Sequence, residues 1–368
     1  MSSVLIGQRL KALREKKGLL QDELARLLGF KDRQTVSAIE NGERRLSADE
    51  LLLAVQKLGV SLEDFTDPFR LAGEGHFNWR RTDVPAEALC AHERFAGQLI
   101  AVFRTLGADL GEKPPLLRSS LTLTKNWRFE EAAQAGERFA AEHGLGDTPA
   151  QNLAEVMESD LKILVLAIKP NHAGISGAAC RLPDLDVVLI NRDEPPGRRH
   201  FDLAHELFHI LTWDALKPEH TEDVTEVGGS RIEQLANAFA AALLMPASLV
   251  EKHADWRTLR DEALIRALNS TADHLQVTAT ALLWRLVGLG HLNKVEARAI
   301  PADAIRHNGR LVRHIAPPLF SKRFVEIVAR AVDEGRVSTR KIAGLLNLTV
   351  DELGELFVAY GVQAPYDL

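Results

Sequence analysis

Apolar residues recur every three or four positions through most of this chain, so it reads as mostly helical, with one β-rich stretch in the middle. In the first sixty-five residues, Leu10, Leu13, Leu24, Leu27, Leu28, Val36, Ile39, Leu52 and Leu58 supply a small apolar core for a run of short helices. Residues 86–108 and 130–143 read as amphipathic helices separated by the Pro114-Pro115 break. The period then changes. LKILVLAI (161–168) reads as a strand, and 175–191 reads as a hairpin turning at Pro-Asp. Helical spacing returns in FDLAHELFHILTWD, in 230–246 up to Pro246, and in 272–290 ending at glycine. After Pro317 come three short helices, with Ser338 and Thr349 as expected N-caps. They read as packing or dimer elements, the latter implying a homodimer, in preference to a second helix-turn-helix. The expected class is therefore α+β, mostly α with a small sheet. Four segments follow: a domain of short helices at 1–68, a linker and helical segment at 69–145, a domain holding the strands and central helices at 146–295, and a helical domain at 296–368.

Within the central helix, His205 and His209 stand four residues apart, on one face, where two imidazoles can grip a single ion. Glu206 projects beside them, where a carboxylate could take a proton from a metal-bound water. Leu203, Ala204, Leu207, Ile210 and Leu211 make the helix apolar, so two His and a Glu are drawn into a core that normally excludes them. A third ligand is needed. Glu233 lies on a stripe with Asn237, Ala240 and Ala241, whose small alanines allow a close helix approach. Ser230 and Glu233 also have the spacing of a capping box, which would give Glu233 a purely local task. Glu219, Glu222, Asp223 and Glu226 are rivals in a polar stretch that reads as loop. His200, His220, His253, His274 and His291 lie nearby in sequence, and spacing selects none of them.

AHELFH followed by the pattern from Glu233 to Pro246 resembles the ImmA/IrrE family of zinc metallopeptidases over roughly residues 150–290. The resemblance implies one Zn²⁺ per chain on His205, His209 and Glu233, with Glu206 as general base. It also implies a strand beside the cleft, which the hairpin would supply. Many members carry Gly where this chain has Phe208, a change that narrows the packing behind the metal helix without touching the ligands.

QDELARLLG…TVSAIENGER resembles the Xre/Cro-type repressor domain. That likeness implies binding to double-stranded DNA, with a recognition helix from about Arg33 to Asn41 in the major groove. Gln21, Gln34, Thr35 and Ser37 would face the bases, while Lys31, Arg33, Arg44 and Arg45 would supply phosphate-binding charge. The segment is only slightly basic and the whole chain carries a formal net charge of −6, so the positive footprint must be local. A docking or dimerisation module is the competing reading.

Only two cysteines occur, which argues against a disulfide framework and fits a reducing cytosol. No N-terminal apolar leader or long apolar span is present, so a cytoplasmic protein that does not span a membrane is expected. The family resemblance implies a zinc endopeptidase that cleaves a transcriptional repressor in a stress, phage or defence response. The alternative is a non-enzymatic Xre-family regulator or antitoxin-like protein that uses a zincin-like domain as a sensor. A fused protease needs a restraint. A thiolate can occupy an open zinc position, so Cys90, upstream of the core, and Cys180, on the hairpin, are candidate inhibitory ligands.

Overall fold

The structure is a computed structural model, which describes residues 3–71, 73–112, 118–124, 126–223, 230–310 and 316–365. The Pro114-Pro115 break and Glu226 lie outside the described residues, as do the side chains of Glu222 and Asp223. The fold is α+β, as its hydrophobic pattern implies, and divides into two compact units.

One unit comprises Met1–His76, Cys90–Lys113 and Val325–Leu368. It opens with helices α1 (Ser3–Lys16), α2 (Gln21–Leu27), α3 (Arg33–Glu40), α4 (Ala48–Leu58) and α5 (Glu63–Thr66). Leu10, Leu24, Val36, Ile39, Leu58 and Phe65 close their core. Leu52 does not join them: it is 57 % exposed, because its neighbours Leu51, Leu53 and Val55 take the inward positions of α4. Gly7 sets how tightly α1 crosses α3, since a Cβ there would stand 2.0 Å from the Ile39 carbonyl oxygen. Arg14 and Glu40 form a buried ion pair at 2.6 Å that ties the same two helices together. Asp32 caps α3 by accepting from the Thr35 N–H, and Ser47 caps α4 in a capping box with Glu50.

The chain then runs through β1 (His76–Arg81), α6 (Ala86–Asp109), α7 (Phe129–Glu142), α8 (Pro149–Ser159), β2 (Leu164–Ile168), β3 (Ile175–Arg181) and β4 (Asp186–Asn191). It continues with α9 (Pro196–Thr212), β5 (Thr221–Asp223), α10 (Arg231–Leu244), α11 (Ala247–His253), α12 (Asp261–His274) and α13 (Ala279–Gly288). Short helices α14 (Lys294–Ala299) and α15 (Ala302–Ile305) follow, and α16 (Lys322–Asp333), α17 (Thr339–Leu345) and α18 (Val350–Ala359) close the chain. Ser338 and Thr349 cap α17 and α18.

The second unit, Phe77–Leu89 with Pro114–Phe324, holds a five-stranded sheet in the order β2-β4-β3-β1-β5. β2 and β4 run parallel, and β3 returns antiparallel to β4. β2 begins at Leu164, later than its apolar run, because Lys162 takes a left-handed conformation (φ 59°) that breaks extended pairing. The stretch 272–290 is two helices, parted by Gln276 at φ 55° and restarted by Thr278, whose side chain accepts from the Ala281 N–H. The segment read as linker contains β1, in which Phe77, Asn78 and Trp79 are buried. Gly136 lets α7 lie against α10: a Cβ there would stand 2.4 Å from the Phe239 carbonyl oxygen. No single helix among the described residues is long and apolar enough to cross a membrane.

Candidate metal centre

α9 carries HELFH as an uninterrupted buried helix, and α10 packs beside it. The result brings His205, His209 and Glu233 together, with one ligand atom from each lying within 4.8 Å of the others. His205 Nε2 and His209 Nε2 are 3.1 Å apart. Glu233 Oε2 lies 3.1 Å from the first nitrogen, and Oε1 lies 3.0 Å from the second. The Ser230 hydroxyl also accepts from the Glu233 backbone N–H, so the helix cap and the ligand cluster use different parts of one residue. Among the rivals, Glu219 is exposed.

The donor set fits a metal ion. His205 Nδ1 lies 3.0 Å from Asn237 Oδ1, an acceptor, so the imidazole proton belongs on Nδ1 and the Nε2 lone pair faces the cluster. Burial, reinforced by the Arg80 charge and opposed by Glu233, lowers the His205 pKa and keeps the ring neutral. Two imidazole nitrogens and a carboxylate meeting in a dry site need a cation between them.

Glu206 is 1 % exposed. Burial pushes its carboxyl well above the ordinary carboxylate range; Arg80 opposes that rise, while Glu233 and Asp202 add to it. Gly177 of β3 lies beside the Glu206 side chain and lets β3 approach β4 closely, since a Cβ there would stand 2.8 Å from the Leu189 carbonyl oxygen. Arg80, on β1, reaches Asp202 of α9 at 2.5 Å. Arg198 contacts Glu194 at 2.8 Å and Asp202 at 3.9 Å. Burial, together with the neighbouring Asp202 charge, pushes Glu194 up to about 8. Arg80, Asp202, Arg198 and Glu194 went unnoticed in the sequence. Asp202 had a signal, lying one helical turn before Glu206. Asn237 was visible only as a member of the Glu233 stripe. Arg80 had none, because nothing local links a strand in an apparent linker to this helix.

The residues considered for DNA contact differ in how available they are. Lys31, Arg33, Gln34 and Arg45 are exposed; Thr35 and Ser37 are half-buried. Thr35 Oγ1 donates to Asp32 in the α3 cap. The Gln21 amide donates to Glu40 at 2.8 Å, joining the Arg14 pair. Arg44 is held by Glu50 at 2.6 Å and lies over the Phe30 ring. Of the cysteines, Cys90 is exposed on α6 and Cys180 is buried on β3. Arg181 donates to the Ile210 carbonyl of α9, so by strand alternation Cys180 leaves the opposite face of the sheet. Neither cysteine is in the His–His–Glu cluster.

An HExxH helix beside a five-stranded sheet, with a carboxylate from the next helix, is the arrangement of a metallopeptidase domain, here on a chain that also carries a helix-turn-helix. Comparison with known families finds two matches. Residues 10–65 match the helix-turn-helix family, and residues 133–286 match the IrrE N-terminal-like domain. The chain therefore carries an IrrE N-terminal-like domain together with a helix-turn-helix domain. It is similar to the radiation response metalloprotease IrrE of Deinococcus deserti, with 40 % identity over 107 residues, covering 28 % of this chain and 37 % of that protein. The Deinococcus radiodurans protein of the same name is 36 % identical over 109 residues, covering 28 % and 31 %. The HTH-type transcriptional regulator PrpR of Mycobacterium tuberculosis is 26 % identical over 279 residues, covering 67 % of this chain and 57 % of that protein. The matches thus span about a third to just over half the length of these relatives.

Proposed function

We propose that this protein is a cytoplasmic zinc endopeptidase coupled to a DNA-reading domain, and that it cleaves a transcriptional repressor at one site. The observation that carries this reading is the convergence of His205, His209 and Glu233 beside Glu206. His205 and His209 would hold the ion through Nε2, and Glu233 through its carboxylate. Bound zinc supplies a Lewis acid and an acidified water. Glu206, buried beside the ligand cluster, would accept the water's proton and return it to the leaving amine. Asn237 fixes the His205 tautomer, and the apolar flanks of α9 exclude bulk water.

The test is incubation of the zinc-loaded protein with repressors encoded beside it, looking for one discrete cleavage. Glu206→Gln should retain the metal and abolish the cut. Zinc retained at full occupancy in Glu233→Ala would remove Glu233 from the ligand set. A second reading, a regulator that uses the zincin-like domain as a sensor, is favoured by the longer similarity to PrpR. It predicts metal binding and DNA binding with no cleavage of any repressor.

A further inference from the structure

Within the second unit, a peptide that reached Glu206 would have to lie along β3. Gly177 adjoins the Glu206 side chain, so β3 is the strand that borders the general base. One edge of β3 is paired with β4, so an added strand has only the outer edge. That edge already carries β1, which pairs in parallel with β5 on its far side, so β1 and β5 would leave the β3 edge together. The Thr82 N–H, at the end of β1, donates to the Gly174 carbonyl, at the start of β3, at 2.9 Å. The two strands are therefore antiparallel.

Side-chain alternation gives β1 two distinct faces. Phe77 and Trp79 stack on one of them, with ring centroids 5.4 Å apart, and anchor the strand. Arg80 leaves the other and meets Asp202, one helical turn before Glu206. The Arg80 side chain is 14 % exposed, and its guanidinium is paired with Asp202, near Glu206 and Glu233. Asp202 makes a subsite for a cationic side chain, and the chain fills it with its own Arg80.

We propose that β1 is an intramolecular pseudosubstrate: it holds the β3 edge where an extended substrate would pair, with Arg80 in a subsite that selects a basic residue. The proposal rests on the endopeptidase reading and adds two things to it. The substrate class becomes an extended peptide with an Arg or Lys near the scissile bond. Restraint comes from a strand that must leave, which makes a cysteine ligand unnecessary.

The experiment uses the full chain, zinc-loaded, in a Glu206→Gln background so that peptides stay intact. A fluorescein-labelled peptide of residues 74–83 is titrated and followed by anisotropy. Removing one partner of a buried charge pair loosens β1, so Arg80→Ala should bind the peptide about tenfold more tightly than the chain with Arg80. The same peptide with Ala at the Arg80 position should bind Arg80→Ala about tenfold more weakly. Equal affinity for the two chains, no binding to either, or indifference to the peptide's arginine would overturn the proposal. If Arg80→Ala does not fold by circular dichroism, Arg80→Lys replaces it, judged by the same criteria at about threefold. Binding requires no hydrolysis. A chain with Glu206 intact that cuts nothing would therefore sink the endopeptidase reading and leave the peptide result standing.

Discussion

Replacing Asn237 with Ala should cost the metal centre affinity without removing a ligand. The Asn237 Oδ1 atom lies 3.0 Å from His205 Nδ1, on a ring that is 0 % exposed. Ala leaves that N–H with no acceptor in a site water does not enter, a loss of about 1–3 kcal/mol. Metal binding makes the imidazole proton more acidic and its hydrogen bond stronger, so the loss falls mostly on the bound state. Partners of this kind typically contribute about 10–100-fold in metal affinity, which is about 1.4–2.7 kcal/mol. The assay is competition with a chromophoric chelator at neutral pH, for wild type, Asn237→Ala and Asn237→Asp. Asp keeps the acceptor and adds charge, so it should hold or tighten zinc. A second readout is the metal-dependent rise in melting temperature, which should shrink in Asn237→Ala because a weaker ligand stabilises less at fixed concentration. If Asn237→Ala binds zinc within about threefold of wild type, packing rather than this hydrogen bond orients His205, and the tautomer argument fails.

Gly136→Ala should lower the melting temperature by several degrees, measured by calorimetry. Its Cβ would meet α10 backbone at 2.4 Å and 2.9 Å, and overpacking of this kind costs about 1–3 kcal/mol. Burial holds the His92 pKa down at about 4, so between that value and about 6.5 the unfolded chain binds more protons than the folded one. Stability should therefore fall as pH drops through that window, by at most about 3 kcal/mol. Urea unfolding at pH 7 and pH 5 should show a shallower loss in His92→Gln than in wild type. The full chain should bind duplex DNA with log affinity falling linearly in log salt. Arg45→Ala, which removes an exposed charge, should weaken all sequences alike and reduce the slope by about one, whereas Gln34→Ala should relax sequence preference; equal sequence discrimination by Gln34→Ala and wild type would exclude base readout by Gln34.

Much of this protein was written locally. The four-residue spacing of His205 and His209 can be read without a structure, because the helix that turns it into a shared face is itself coded by the apolar residues between them. The caps Ser47, Ser338 and Thr349 and the Pro-Asp turn of the hairpin are likewise contacts over a few residues. Sequence also offered Glu233, but only as one of several carboxylates. It was packing of α10 against α9 that set its oxygens 3.0 Å and 3.1 Å from the two imidazoles. Leu52 shows the limit from the other side, since the helical period permits it in the core and tertiary packing turns it outward. The strongest case is β1. A short strand among Gly, Pro and charged residues has no periodicity long enough to announce itself, and its partner β3 lies about a hundred residues away. Pairing across that distance, and the burial of Phe77 and Trp79 that comes with it, brings Arg80 to Asp202 at the metal centre, a contact no local pattern encodes.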